Sequence, residues 1–127
     1  MTYVDIVTAL ALLQFMVFGF KVAKARGRYG IVAPAISGNE IFERYFRVQQ
    51  NTLEQLIVFL PALYVFNHYY SPLVAAALGV VYLIGREIYA LTYVKDPKKR
   101  ELGYILTALP VALLILGALF GAIRQLK

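Results

Sequence analysis

The sequence predicts an all-α integral membrane protein whose single domain, residues 1–127, contains four membrane-spanning helices. Apolar residues make up 61% of the 127 residues, charged residues only 16%, and the mean hydropathy is +0.67. A soluble domain of this size could not bury so large an apolar fraction. Four stretches of membrane-spanning length also alternate with polar or turn-forming segments. We therefore predict helices at about residues 3–24, 41–67, 73–94 and 102–123.

The first predicted helix, about residues 3–24, is apolar from Tyr3 to Phe20 and then continues into basic residues. No basic segment precedes the apolar run and no small-residue cleavage site follows it. We therefore interpret it as a retained helix and not as a signal peptide. A loop ending near residue 39 or 40 follows, because five residues there favour turns. These residues are Gly27, Gly30, Pro34, Gly38 and Asn39.

The other three helices are separated by two short segments of different character. Pro61 should kink the second helix, about residues 41–67, because proline removes one backbone hydrogen bond. The turn from His68 to Pro72 contains paired tyrosines, which suit a membrane–water interface. The third helix, about residues 73–94, is followed by a charged loop at 95–101. The fourth helix then covers about residues 102–123.

The distribution of charge predicts the orientation of the chain in the membrane and limits the classes of ligand that it could bind. Most of the Lys and Arg outside the predicted helices lie in the first and third loops, whereas the second loop carries none. The positive-inside rule therefore places both basic loops in the cytoplasm and both termini outside. A net charge of +6 without a soluble basic domain does not indicate nucleic-acid binding. Cysteine is absent and His68 is the single histidine, so we expect no metal site.

The second helix carries polar residues at membrane depth, where ionisable groups are costly. At 100° per residue, four of them share a wedge of about 80°. They are Arg44, Arg47, Asn51 and Glu54. Each ionisable group costs about 2.5–3.5 kcal/mol at the bilayer centre, so such groups usually face a bundle interior or a wet cavity. This set is called the α2 stripe below.

A similar α3 stripe lies on the third helix and contains Arg86, Tyr89 and Tyr93. Both stripes occupy the halves of their helices that lie nearer the basic loops. We therefore predict one cationic, hydrogen-bonding pocket at the cytoplasmic side of the membrane. Arginine forms bidentate hydrogen bonds with carboxylates, and a carboxylate pairs with an ammonium group. Amides and phenols donate or accept hydrogen bonds. A short peptide with carboxylates and a free amine matches this inventory.

These residues resemble the motifs of a known family. The segment Phe42-Glu43-Arg44-x-x-Arg47-x-Gln49-x-Asn51-x-x-Glu54 is followed by Gly85-Arg86-x-x-Tyr89-x-x-x-Tyr93 and by a basic loop ending in Arg100. This pattern is similar to that of the membrane-associated proteins in eicosanoid and glutathione metabolism, the MAPEG family. The resemblance covers nearly the whole chain.

The resemblance implies a homotrimer that binds glutathione between neighbouring subunits on the cytoplasmic side. It assigns glutathione contacts to Arg26, Arg47, Asn51, Glu54, Tyr89 and Tyr93, with support from Arg44, Gln49 and Arg86. Arg100 aligns with the family's thiolate-stabilising arginine. Because arginine cannot act as a general base at neutral pH, Arg100 would favour the thiolate electrostatically.

The implied activity is transfer of glutathione to a lipophilic electrophile from the bilayer, with reduction of lipid hydroperoxides as a second reaction. Two departures argue against a leukotriene-specific site. Gln55 stands where leukotriene C4 synthase has a tyrosine, and Gly27 stands where it has a second consecutive arginine. The short loops and truncated C-terminus likewise resemble those of a minimal, bacterial type of member, one that serves detoxification.

Alternative functions fit parts of the sequence. A non-enzymatic lipid-binding scaffold resembling the five-lipoxygenase-activating protein would keep the fold but lose thiolate activation, and the retained Arg100 argues against it. A proton-coupled multidrug exporter would require Glu54 to take up and release protons, whereas the nearby Arg47 favours the charged carboxylate. From the residues alone, structural ion pairs explain the α2 stripe as well as ligand binding does. The family resemblance favours ligand binding.

Overall fold

The computed structural model describes residues 1–126, and Lys127 lies outside the described part. It contains four α-helices, α1 to α4, and one short 3-10 helix between the last two. Their bounds are Thr2–Tyr29 (α1), Glu40–Tyr69 (α2), Pro72–Lys95 (α3), Pro97–Lys99 (3-10) and Glu101–Arg124 (α4). The predicted all-α fold of four helices is confirmed.

The end of α1 differs most from its predicted position. Gly27 lies inside the helix, so the prediction that it belongs to the loop is wrong. The helix ends instead at Gly30, which has a φ of 68° and donates its backbone N–H to the Arg26 carbonyl. Glycine suits this left-handed position because it has no Cβ. Basic residues within the last turns of α1 therefore project from a helix and not from an irregular loop.

The predicted second turn is also shorter than expected. His68 and Tyr69 belong to α2, and Ser71 caps α3 by accepting a hydrogen bond from the Leu73 N–H at 3.2 Å. Pro72 then occupies the first position of α3, where its missing N–H costs nothing. The α2 helix also runs through Pro61, and the kink there stays a prediction.

The protein is an integral membrane protein. Three segments are long and apolar enough to cross a bilayer, namely α1, α3 and the segment Pro97–Arg124 that contains α4. The α2 helix, with 30 residues, is also long enough, but the polar residues of its first half exclude it from this set. Large apolar side chains on every helix point outward, including Phe20, Ile57, Leu73 and Leu116. Such a surface suits contact with lipid.

The α3 and α4 helices approach each other closely enough for backbone contact. A Cβ at Gly85 would lie 2.7 Å from the Leu106 carbonyl carbon and 2.8 Å from the Thr107 nitrogen. A Cβ at Gly103 would lie 2.5 Å from the Tyr89 Cα. Small residues at helix crossings permit this approach in membranes. The two glycines therefore set the position of the α3 segment that carries the α3 stripe.

Arg44 ties the beginning of α2 to the end of α3. Its Nη1 donates to the Val94 and Lys95 carbonyls at 3.0 and 3.2 Å. These are among the last carbonyls of α3, which lack partners within the helix and attract cations. Arg44 also pairs with Glu40 at 3.3 Å, but the Glu40 side chain is 85% exposed, so this pair adds little stability. The supporting role in ligand binding that we predicted for Arg44 stays a prediction.

Candidate functional site

The α2 and α3 stripes meet at Arg86, which is fully buried on α3. Its Nη1 donates to the Asn51 Oδ1 on α2 at 2.7 Å. Its guanidinium carbon lies 4.4 Å from the ring centroid of Tyr89, within the range of a cation–π interaction. Within residues 1–126, the Nε and Nη2 of Arg86 have no hydrogen-bond partner. Arg86 therefore links the two stripes and depends on Asn51 for its one protein hydrogen bond.

This hydrogen bond also determines what Asn51 can offer to a ligand. The Asn51 oxygen accepts from Arg86, so the amide nitrogen is the group left to donate. Asn51 is half-buried and belongs to the same helix face as Arg47. A ligand carboxylate or amide oxygen is the natural partner for its N–H groups.

We predict strong energetic coupling between Arg86 and Asn51. Asn51→Leu should lower the free energy of unfolding by about 2–3 kcal/mol, because it leaves a buried charged group without its partner. In an Arg86→Met background the same change should lower the free energy of unfolding by less than about 1 kcal/mol, because no buried charge then loses its partner. Unfolding of the four proteins in one detergent measures this double-mutant cycle. Additive effects would contradict the coupling.

Tyr89 and Tyr93 extend the α3 stripe toward the surface. Their rings stack with centroids 5.4 Å apart and planes inclined by 16°. Tyr89 is buried, whereas Tyr93 lines an open depression of about 370 Å³ together with Arg44 and Arg47. The predicted convergence of the two stripes is therefore present in the structure. This depression is called the stripe pocket below.

Arg47 and Glu54 form the exposed part of the α2 stripe. Their side chains are 51% and 54% exposed, and the Arg47 Nη2 lies 4.0 Å from the Glu54 Oε1. Exposed pairs of this length contribute little to stability. Two charged groups on the outer face of an apolar helix are costly in lipid. Their exposure indicates that this face meets water, a ligand or another protein surface.

Three predicted site residues lie apart from this face. The Arg26 Nη1 donates to the Ala35 carbonyl at 2.6 Å, and the Arg26 guanidinium lies 4.9 Å from the Phe42 ring centroid. The Gln49 Nε2 packs toward Gly19 of α1. The exposed Arg100 donates to the Pro97 carbonyl at 3.2 Å. Within the described residues, no hydrogen bond or ion pair joins these three to the α2 stripe.

Arg100 nevertheless lies three residues before Gly103, the point at which α4 contacts the backbone of Tyr89. Arg100 also lines an open depression of about 600 Å³ beside Glu101 and Tyr104. Arg100 therefore lies at the start of α4, about one helical turn from the contact between α4 and the α3 stripe.

Sequence analysis missed a second polar contact between helices, on the outer surface of α1 and α3. The Gln14 Nε2 on α1 donates to the Leu83 carbonyl at 2.9 Å and to the Glu87 Oε1 at 3.1 Å. Glu87 directly follows Arg86 in the apolar part of α3, and this charged pair of neighbours was the available signal. In residues 1–126, no group of three or more His, Asp or Glu side chains could hold a metal ion.

The fold and the site define a class of protein: an α-helical integral membrane protein with a polar site near one end of its bundle, lined by arginine, glutamate and tyrosine side chains. Residues 4–120 match the model of the MAPEG family. The chain belongs to the MAPEG family, and the predicted resemblance is confirmed.

Individual relatives cover most of the chain. An uncharacterised protein of Synechocystis sp. is 46% identical over 96% of this chain and 89% of its own length. Human microsomal glutathione S-transferase 2 is 40% identical over 89% of this chain and 78% of its own length. Leukotriene C4 synthase of Cavia porcellus is 32% identical over 94% and 79%. The family therefore contains glutathione transferases similar to this chain.

Proposed function

We propose that this protein is a membrane-bound glutathione transferase that stabilises the glutathione thiolate and conjugates it to lipophilic electrophiles. The observation that carries this proposal is the stripe pocket, where Arg47 and Tyr93 lie together and the half-buried Asn51 and exposed Glu54 continue the same helix face. These groups complement the carboxylates, amides and ammonium of glutathione. The transferases among the relatives support the same assignment.

A second copy of the chain would complete the site, in a homotrimer. Arg47 and Glu54 are about half exposed on an apolar helix, so they require a polar neighbour. Arg26 and Gln49 lie on another part of the protomer, toward α1 and the first loop. In an assembly, the Arg26 and Gln49 of one protomer would face the α2 stripe of the next. This arrangement accounts for candidate residues that a single protomer does not bring together.

Arg100 would act on the thiol by electrostatics. A nearby guanidinium favours the thiolate over the thiol, and each unit by which the thiol pKa falls corresponds to about 1.36 kcal/mol. The released proton passes to water, and the thiolate sulfur bonds to the electrophilic carbon as the leaving group departs with its electron pair. Reduction of lipid hydroperoxides by the same thiolate is the second reaction that we propose. By the positive-inside rule, the site faces the cytoplasm and both termini lie outside.

Titration of the detergent-purified protein with glutathione tests this function. We expect an ultraviolet absorbance change from thiolate formation, followed by conjugate formation with an aryl halide such as chlorodinitrobenzene. S-methylglutathione is the matched control, because it keeps every recognition group but has no ionisable thiol. Binding without thiolate or turnover would instead support the lipid-binding scaffold, and failure to bind glutathione would contradict both the site and the function.

A further inference from the structure

Two adjoining cavities lie between α1, α2 and α3, and neither is lined by a residue of the proposed glutathione site. The first, of about 210 Å³, is lined mainly by apolar side chains, including Phe18, Val48 and Leu91, and by two lysines, Lys21 and Lys95. The second cavity has about 200 Å³ and shares two residues with the first. The shared residues are Lys21 and Tyr45. The two cavities are called the basic groove below.

The basic groove combines apolar walls with uncompensated positive charge. Four cations line it, and none of its lining residues is acidic: the cations are Lys21, Lys24, Arg28 and Lys95. The ion pairs found within residues 1–126 are Glu40–Arg44 and Arg47–Glu54, so none of these four is neutralised by a carboxylate. The Lys21 Nζ lies 5.9 Å from the Phe18 ring centroid, which places the charge next to the apolar wall.

Three of the four cations belong to one face of α1. Lys21, Lys24 and Arg28 are spaced by three and four residues, so they project in nearly the same direction over two turns. Lys95 reaches the groove from the end of α3. A ligand with one negative group and an apolar chain would satisfy the cations and the walls together. Basic pockets between membrane helices recognise lipid headgroups in this manner.

We propose that the basic groove is a binding site for an anionic phospholipid. Its phosphate lies among Lys21, Lys95 and the α1 cations, and one acyl chain packs against Phe18, Val48 and Leu91. Charge complementarity favours an anionic lipid over a zwitterionic one. The groove has cations for the phosphate, but no acidic side chain lines it that could pair with a choline or ethanolamine ammonium. The proposal does not rest on the glutathione transferase activity.

Native mass spectrometry of delipidated protein in neutral detergent tests the proposal. The probes are phosphatidylglycerol and phosphatidylcholine with identical acyl chains. We expect wild type to prefer phosphatidylglycerol, and Lys21→Gln/Lys95→Gln to lower its affinity for that lipid about 10- to 30-fold. Affinity for phosphatidylcholine should be unchanged. Lys98→Gln/Lys99→Gln removes the same charge from the 3-10 helix, outside the groove, and should keep the wild-type preference.

Several outcomes would overturn the proposal. An equal loss in both double variants would mean general attraction between the basic surface and any anion. Equal affinity of the wild-type protein for the two lipids would show that the groove does not select the negatively charged headgroup. Displacement of phosphatidylglycerol by inorganic phosphate would assign the cations to free phosphate, with no role for the acyl chain. Circular dichroism of both double variants checks that their helices are intact, and their glutathione turnover should match wild type.

Discussion

Replacing Arg100 by alanine is expected to lower glutathione conjugation by about 100- to 1,000-fold, the range seen when one preorganised electrostatic group is removed from a reacting oxyanion. The physical reason is loss of the cation that would favour the thiolate. Arg100 is exposed and follows the 3-10 helix, so its removal leaves no cavity in the bundle. The measurement is thiolate absorbance and turnover at saturating glutathione, beside thermal unfolding in the same detergent.

Two variants control for charge and for position. Lys99→Ala removes one positive charge from the adjacent position and should retain turnover close to wild type. Arg100→Lys keeps the charge but loses the planar fork, so it should fall between wild type and Arg100→Ala. Equal losses in Arg100→Ala and Lys99→Ala would show that only the overall charge of the loop matters. Normal thiolate formation in Arg100→Ala would remove Arg100 from the mechanism.

Replacing Gly103 by alanine should produce the largest loss of stability among single-methyl additions to this bundle. The added Cβ would meet the backbone nitrogen and Cα of Tyr89, which cannot move without shifting α3. Overpacking of this kind costs about 1–3 kcal/mol and sometimes more. Because Tyr89 packs against Arg86 and Tyr93, we also expect weaker glutathione binding. Thermal unfolding and glutathione titration measure the two effects.

Gly27→Ala is the matched control. It lies within α1, and a Cβ there would meet nothing within 4 Å. Alanine is favoured over glycine in a helix interior by about 0.5–1 kcal/mol, so this variant should be neutral or more stable than wild type. If Gly103→Ala were as stable as Gly27→Ala, then the close contact between α3 and α4 would not be limiting for the fold.

The polar stripes illustrate how far periodicity alone could predict the site. The spacing of Arg47, Asn51 and Glu54 places them on one face of α2, and the spacing of Arg86, Tyr89 and Tyr93 does the same on α3. The structure confirms that the two stripes meet, through the Arg86–Asn51 hydrogen bond and the stripe pocket. Periodicity predicts the two polar faces because helix geometry is regular. Polar residues are also costly in lipid, so those in an apolar helix indicate a site.

Composition, hydropathy and spacing were sufficient for the helix number, the membrane class and the identity of the polar faces. Only the packing of the helices shows that neighbouring residues of one stripe have different contact partners. Arg44 donates hydrogen bonds to the last carbonyls of α3. Asn51 accepts one from the buried Arg86, and Arg47 is exposed. The close approach at Gly103 and the Gln14–Glu87 contact likewise join distant parts of the chain. The reason is geometric: periodicity gives each side chain's direction about its own helix axis, whereas its partner depends on how that helix packs against the others.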